Sequence, residues 1–244
     1  MNNKITYSTT YKGVLINTSH RYKLGAYTAI LESIHSQMHA LLSHHSRISV
    51  LVFVLHTPHG NFSDPQRWNL VVSDFFKSVK QQLGQKDWLC NKDVIYCWAH
   101  EQGELDKDHY HCYIGFKQLY RRIGGITSEG YTGLWVMLQT CWKTHSGGYL
   151  RPTNAHTVNR NKQGEFNKAF WHISYMAKVR DKTFGTGESY KRFSPSRLKP
   201  AKTAPNSCLE FTVSDDVNKK PRINGAFLTA SMARHASDSP MTQL

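Results

Sequence analysis

The chain lacks the features that mark several common protein classes. Its five cysteines are scattered and form no C-x-x-C pair, which argues against a zinc finger and against a disulfide framework. No apolar run approaches the roughly 20 residues that a membrane-spanning helix needs. The first residues do not have the pattern of a signal peptide. We therefore expect a protein without membrane segments that works in the cytoplasm.

Acidic residues are also scarce relative to basic ones. The 244 residues include 31 Lys and Arg against 17 Asp and Glu, a formal net charge of +14. A basic excess of this kind is typical of proteins that bind nucleic acid. A solvated surface kept basic for solubility is the plainer alternative.

The apolar pattern predicts an α+β fold. Helical spacing predicts helices at about 21–45, 64–84, 133–145 and 165–180, and short apolar runs predict strands at about 47–56, 93–101, 109–117 and 149–159. This order is that of a ferredoxin-like (RRM-like) antiparallel sheet with helices packed on one face, which leaves the other face free for a ligand. We expect an N-terminal helical segment at 1–46, a domain built on this sheet at 47–193 and a basic, largely disordered tail at 194–244.

One segment of the third predicted strand carries the strongest chemical signal. His109 and His111 are two residues apart, so they point to the same face of a strand. A hairpin would bring Glu101, at the end of the preceding strand, back beside them. Two imidazoles and a carboxylate form a candidate site for a divalent cation. His56 and His100 are alternative third ligands, although His100 should face away from Glu101 on a regular strand.

The last predicted helix supplies a candidate nucleophile. Tyr175 and Lys178 are three residues apart and therefore neighbours on a helix surface. A phenol with a pKa of about 10 is a poor nucleophile at neutral pH. A nearby ammonium and a metal-polarised phosphate would help it attack phosphorus. The helix offers no second tyrosine one turn away, which favours a one-tyrosine enzyme.

Together these motifs resemble the HUH endonucleases over residues 47–193. Within that superfamily, segments 98–101, 109–116, 134–142 and 175–178 are similar to the inovirus gene-II-type replication initiation proteins and their prophage relatives. The resemblance implies nicking of single-stranded DNA at an origin hairpin or nick site, in rolling-circle replication within a bacterial host. It implies Mg²⁺ or Mn²⁺ on Glu101, His109 and His111, a 5′-phosphotyrosine formed by Tyr175, and charge stabilisation by Lys178. A host helicase or polymerase would be a further partner.

Basic and aromatic residues around the tyrosine suggest a path for DNA. The residues assigned to DNA binding are Arg121, Arg122, Trp171, Arg180 and Lys182. Two other functions remain open from the sequence. One is a non-catalytic nucleic-acid-binding module on a ferredoxin-like sheet, and the other is a compact transposase or relaxase of the same superfamily.

Overall fold

The computed structural model describes most of the first 202 residues. The described residues are 4–18, 24–58, 64–101, 109–119, 123–180, 182 and 191–202. They form four α-helices, a five-stranded antiparallel sheet and three two-stranded ribbons. In this part of the chain, no helix combines the length and the apolar character needed to cross a membrane.

The elements between residues 47 and 159 match the predicted ones closely. The strands are β1 (Ile5–Thr6), β2 (Thr10–Tyr11), β3 (Val14–Leu15), β4 (Ala26–Tyr27), β5 (Arg47–His56), β6 (Val94–Glu101), β7 (His109–Lys117), β8 (Ile126–Thr127), β9 (Gly130–Tyr131), β10 (Tyr149–Asn159) and β11 (Phe193–Pro195). The α-helices are α1 (Thr28–His44), α2 (Pro65–Leu83), α3 (Leu134–Ser146) and α4 (Gln163–Ser174). Short 3-10 turns lie at Lys86–Trp88 and Tyr175–Ala177.

The large sheet has the strand order β10-β5-β7-β6-β11, and all neighbouring strands are antiparallel. The succession β5-α2-β6-β7-α3-β10 is the strand and helix order of a ferredoxin-like fold. The predicted α+β class is therefore confirmed. The histidine-bearing strand β7 is the middle strand of the five, so its side chains have neighbours on both sides.

The helices α2 and α3 cover one face of the sheet. The carboxylate of Asp64 accepts hydrogen bonds from the backbone N–H groups of Gln66 and Arg67, which begins α2, and Gly84 ends it. The buried residues Trp68, Val72, Phe75, Phe76 and Val79 of α2 lie at helical spacing. They pack with the aromatic and aliphatic side chains of β5, β7 and α3 in one hydrophobic core.

The opposite face is only partly open, in contrast to the expectation of a free face. The helices α1 and α4 pack there against β5, β6 and β7 in a second hydrophobic core. Gly115 allows α1 to approach β7 closely, because a Cβ at this position would lie 2.8 Å from the side chain of Ile95 and 3.3 Å from that of Leu41. The predicted helical region at 21–45 thus contributes one helix, α1, to the core. The uncovered end of this face contains His109 and His111.

The expected boundaries at residues 46 and 194 fall within packed structure. The helix α1 shares a core with α4 and the sheet, and β11 pairs with β6 through Phe193, Ser194 and Pro195. Immediately after β11, the Ser196 hydroxyl donates a hydrogen bond to the side chain of Gln37 on α1. The expected tail is described only to residue 202, and the rest lies outside the described residues.

Candidate metal centre and nucleophile

The alternation of β7 places its two histidines on the partly open face. Tyr110 and Cys112 belong to the core under α2 and α3, whereas Tyr113, two residues after His111, belongs to the core under α1 and α4. Side chains of successive strand residues point to opposite faces. His109 and His111 therefore share the face of Tyr113, at the end of the sheet that the helices do not cover.

The hairpin of β6 and β7 brings Glu101 to these histidines. In the antiparallel register Glu101 is paired with His109, and Ala99 with His111. The Glu101 Oε2 atom lies 3.6 Å from His109 Nε2 and 3.1 Å from His111 Nε2. The three possible ligand atoms all lie within 4.8 Å of one another. The predicted triad is thus a possible metal-binding site that offers two nitrogens and one oxygen.

The two alternative third ligands are placed differently. His100 lies on the other face, 5.1 Å from the ring of Tyr110, and its Nδ1 is 3.2 Å from a guanidinium nitrogen of Arg192. His56 lies on the same face as His109, with ring centroids 5.8 Å apart. Burial, followed by the charges of His109 and Arg151, lowers the pKa of His56 to about 4. The geometry therefore favours Glu101 as the carboxylate partner of the two histidines.

Glu101 is almost fully buried and yet ionised. Burial alone would raise its pKa, but the imidazoles of His111 and His109 and the ammonium of Lys182 together hold the pKa well below its usual range. Burial also lowers the pKa of His111, with Lys182 acting in the same direction against the opposing effect of Glu101. A neutral imidazole beside an ionised carboxylate has the protonation states that metal ligands require.

Tyr175 lies beside the triad, although it is not on the helix that the sequence predicted. The helix α4 ends at Ser174, and Tyr175 begins the 3-10 turn. The ring of Tyr175 is 5.6 Å from that of His111 in an edge-on arrangement. The helix does not continue because the backbone turns to the N-terminal strand: Lys178 pairs with Ala26, and the Val179 N–H donates to the Gly25 carbonyl.

Lys178 connects the tyrosine to the triad. Its ammonium donates a hydrogen bond to the Tyr175 hydroxyl at 3.0 Å and lies 2.9 Å from Glu101 Oε2. Burial acts to lower the pKa of Lys178, but Glu101 and the hydrogen bond to Tyr175 raise it above the usual value. The lysine is therefore a cation at neutral pH, held between the candidate nucleophile and the candidate metal ligands.

Lys182 has a place that the sequence did not indicate. The sequence assigned it to DNA, but its side chain has no exposed surface. Its ammonium donates hydrogen bonds to Glu101 Oε1 and to the backbone carbonyl of Lys178. A buried ammonium cannot lie on an exposed DNA path, so we group Lys182 with the triad. The only signal in the sequence is its spacing of four residues from Lys178.

The other residues assigned to DNA are divided in the structure. Arg180 is exposed and lines the cavity at the site, whereas Trp171 is half-buried and packs edge-on against His172 at 5.0 Å. Arg121 and Arg122 lie outside the described residues.

A cavity of about 620 Å³ joins these groups. Its lining is mixed in polarity and includes both halves of the site. The polar residues are Glu101, His109, His111, Tyr175, Lys178, Arg180, His172, Arg151, Thr153, Asn154 and Asn17, and the apolar ones include Val52, Val54, Ile173 and Met176. The sequence did not identify Thr153, Asn154 or Asn17, which come from β10 and from the N-terminal region. The cavity therefore combines a possible cation site, the hydroxyl of the candidate nucleophile Tyr175 and several hydrogen-bonding groups.

One known protein family matches the part of the chain that contains this site. Residues 9–196 match the family described as the YagK/YfjJ C-terminal domain. The chain belongs to this family. The matched residues of the YagK/YfjJ C-terminal domain include α1, the whole large sheet and the triad. No curated protein and no solved structure matches the chain.

Proposed function

We propose that this YagK/YfjJ-type domain is a metal-dependent endonuclease that nicks single-stranded DNA and transfers the strand through a 5′-phosphotyrosine link. The observation that carries the proposal is the position of Lys178, with its ammonium 3.0 Å from the Tyr175 hydroxyl and 2.9 Å from Glu101 Oε2. This one side chain connects Tyr175, three residues before it in the chain, with the site formed by Glu101, His109 and His111 in the same cavity. A hydroxyl nucleophile beside a phosphate-activating site is the arrangement that phosphoryl transfer requires.

Glu101, His109 and His111 would hold the cation. Two imidazoles and one carboxylate suit Mn²⁺ by ligand type, and Mg²⁺ is favoured by its abundance in cells. When bound, such a cation supplies Lewis-acid polarisation of the scissile phosphate. The buried Lys182 holds the other oxygen of the carboxylate, so Oε2 is the atom of Glu101 directed to the histidines.

Tyr175 would perform the covalent step. Its hydroxyl oxygen attacks the phosphorus, the bond between phosphorus and the 3′ oxygen breaks, and the leaving oxygen takes a proton from water to give a 3′-OH. The phenol proton is released to water, and the Lys178 ammonium stabilises the phenolate that forms. The phosphodiester energy is kept in the phosphotyrosine bond, so a later 3′-OH can attack it and rejoin the strand.

The biological setting that fits this chemistry is rolling-circle replication. Among the described residues that line the cavity, Tyr175 is the one tyrosine, which fits an enzyme that makes one covalent link per protomer. The substrate would be an origin hairpin or nick site of a phage, prophage or plasmid in the bacterial cytoplasm, with a host helicase or polymerase acting on the released strand. The basic charge of the chain would favour association with the DNA backbone.

The covalent product provides the test. The purified protein is incubated with Mn²⁺ and a random-sequence, hairpin-containing library of single-stranded DNA, and the products are separated on a denaturing protein gel. We expect a fluorophore at the 3′ end to migrate with the protein and a fluorophore at the 5′ end to be released. Tyr175→Phe removes only the hydroxyl and should abolish the adduct without weakening DNA binding.

Matched controls separate loss of the nucleophile from general damage. Tyr7 is highly exposed, and Tyr7→Phe should leave the adduct unchanged. His111→Ala should reduce the adduct, because it removes one ligand of the candidate metal site. An adduct that persists in Tyr175→Phe would show that another residue is the nucleophile. DNA binding by the wild-type protein without cleavage under any divalent cation would favour the non-catalytic binding module.

A further inference from the structure

A row of side chains crosses the sheet beside the candidate metal centre. Tyr149 on β10 is paired with His56 on β5, His56 with His109 on β7, and His109 with Glu101 on β6. Paired residues of neighbouring strands point to the same face of a sheet. Strands are about 4.8 Å apart, so Tyr149 lies about 10 Å along the row from His109. The metal ligands occupy one end of the row, and a tyrosine occupies the other.

The tyrosine at the end of the row is held flat against a second ring. The centroids of Tyr149 and His56 are 4.4 Å apart and their planes differ by 10°. The rings of His56 and His109 are 5.8 Å apart and 23° from parallel. Tyr149 remains 55% exposed despite this contact. The result is a fixed aromatic surface that faces solvent and continues the line of the metal ligands.

The backbone behind this stack has little freedom to move. The indole N–H of Trp142 on α3 donates a hydrogen bond to the His56 carbonyl at 3.0 Å. Gly148, the residue before Tyr149, packs against the same His56 carbonyl, and an added Cβ would lie 2.0 Å from its oxygen. The close packing of the turn before β10 therefore fixes the position of Tyr149 relative to His56.

A cation lies beside the exposed ring. Arg151 is two residues after Tyr149, is exposed, and lines the cavity that contains the triad. In the register it is paired with Val54, which is paired with His111. An arginine in the row next to an exposed aromatic ring is the combination that binds single-stranded nucleic acid, because the ring stacks on a base and the cation holds a phosphate.

We propose that Tyr149 is the stacking platform for an unpaired base of single-stranded DNA, next to the phosphate at the triad, with Arg151 holding the adjoining backbone. The proposal rests on the nicking function and gives its substrate a specific contact. The ring accepts a base only when that base is unstacked from its neighbours, so the site selects single-stranded over duplex DNA. Stacking is tolerant of base identity, so Tyr149 contributes affinity and position rather than sequence choice.

Binding to a labelled 20-nucleotide dT oligomer in EDTA tests the platform without cleavage. Tyr149→Ala should weaken binding roughly 5- to 150-fold, since one base stacked on an aromatic ring contributes about 1–3 kcal/mol. Tyr149→Phe keeps the ring and should bind within about twofold of the wild type. Tyr7→Ala is the matched control. Tyr7 is an exposed tyrosine between β1 and β2, and its replacement should have no effect on binding. Arg151→Gln should remove about one phosphate contact. The slope of log K against log salt concentration should therefore become less steep by roughly 0.7.

An abasic oligomer of the same length distinguishes stacking from other effects. The loss caused by Tyr149→Ala should disappear on the abasic strand, because no base is present to stack. Equal binding of the dT oligomer by wild type and Tyr149→Ala, or an equal loss on both oligomers, would overturn the platform. The adduct assay with Mn²⁺ is read separately. Adduct formation without Tyr149-dependent binding refutes the platform alone, and Tyr149-dependent binding without an adduct refutes the nicking function alone.

Discussion

The contact of Lys182 with Glu101 gives a quantitative test of how the site is built. Both side chains are buried, with relative side-chain exposures of 0% and 1%. Lys182→Met keeps much of the side-chain volume and removes the charge. Breaking a buried ion pair by removing one partner costs about 3–5 kcal/mol, because an uncompensated charge remains.

The other polar neighbours of Glu101 reduce this cost. Lys178 lies 2.9 Å and His111 3.1 Å from Oε2, so the carboxylate is not left alone when Lys182 is changed. The ammonium also donates to the Lys178 carbonyl, and this acceptor loses its donor in the variant. We therefore expect Lys182→Met to lower the free energy of unfolding by about 2–4 kcal/mol.

A double-mutant cycle with Glu101→Gln isolates the pair. Urea unfolding in EDTA gives the free energies of the wild type, of each single variant and of the double variant. The double variant should be more stable than the sum of the single effects predicts, by at least about 1 kcal/mol, because neither charge is left behind. Lys77→Met, at an exposed lysine of α2, should change stability by less than about 0.5 kcal/mol. Additive effects at Lys182 and Glu101 within about 0.5 kcal/mol would refute the ion pair.

Two further predictions concern the structure around the site. Gly148→Ala should lower the free energy of unfolding by about 2 kcal/mol or more and weaken binding of the dT oligomer, because its Cβ would lie 2.0 Å from the His56 carbonyl oxygen. Calorimetry would measure the stability and fluorescence anisotropy the binding. Unchanged values of both would contradict the close packing. Burial, and then His172, lower the pKa of His156 to about 3, below the value of about 6.5 in the unfolded chain, so its contribution is complete above pH 6.5 and is lost as the pH falls toward 3. Because His156 is partly exposed, it should account for only about 1–2 kcal/mol of the stability that is lost between pH 7.5 and pH 5. In urea unfolding, His156→Gln should therefore lose about 1–2 kcal/mol less than the wild type over this range, and an identical pH dependence would contradict this assignment.

The parts of the fold that the sequence predicted well are those determined by local patterns. The helix α2 has a capping aspartate, a proline at its first position and apolar residues at helical spacing, all within 20 residues. The strands β6 and β7 are adjacent in sequence, so a hairpin was the simplest way to pair them. Their observed register places Glu101 opposite His109, as the candidate metal site needed.

The coverage of the second face could not be predicted because it depends on distant segments. The helix α1 precedes the ferredoxin-like unit and α4 follows it, yet both pack on the same face of the sheet. Their apolar stripes show that each helix is buried, but a stripe does not identify its partner. The same holds for β11, which pairs with β6 although about 90 residues separate them in the chain.

The neighbouring positions of Tyr175 and Lys178 were predicted from helical geometry, and they are neighbours for a related reason. The chain leaves the α-helix at Ser174 because Lys178 and Val179 bond to the N-terminal strand region, at Ala26 and Gly25. In the 3-10 turn that results, side chains three residues apart lie almost directly above one another. The tyrosine hydroxyl and the lysine ammonium are therefore brought together at 3.0 Å. A pairing between the N-terminal region and the end of α4 thus sets the angle at which the candidate nucleophile meets the triad, which no local pattern in the sequence records.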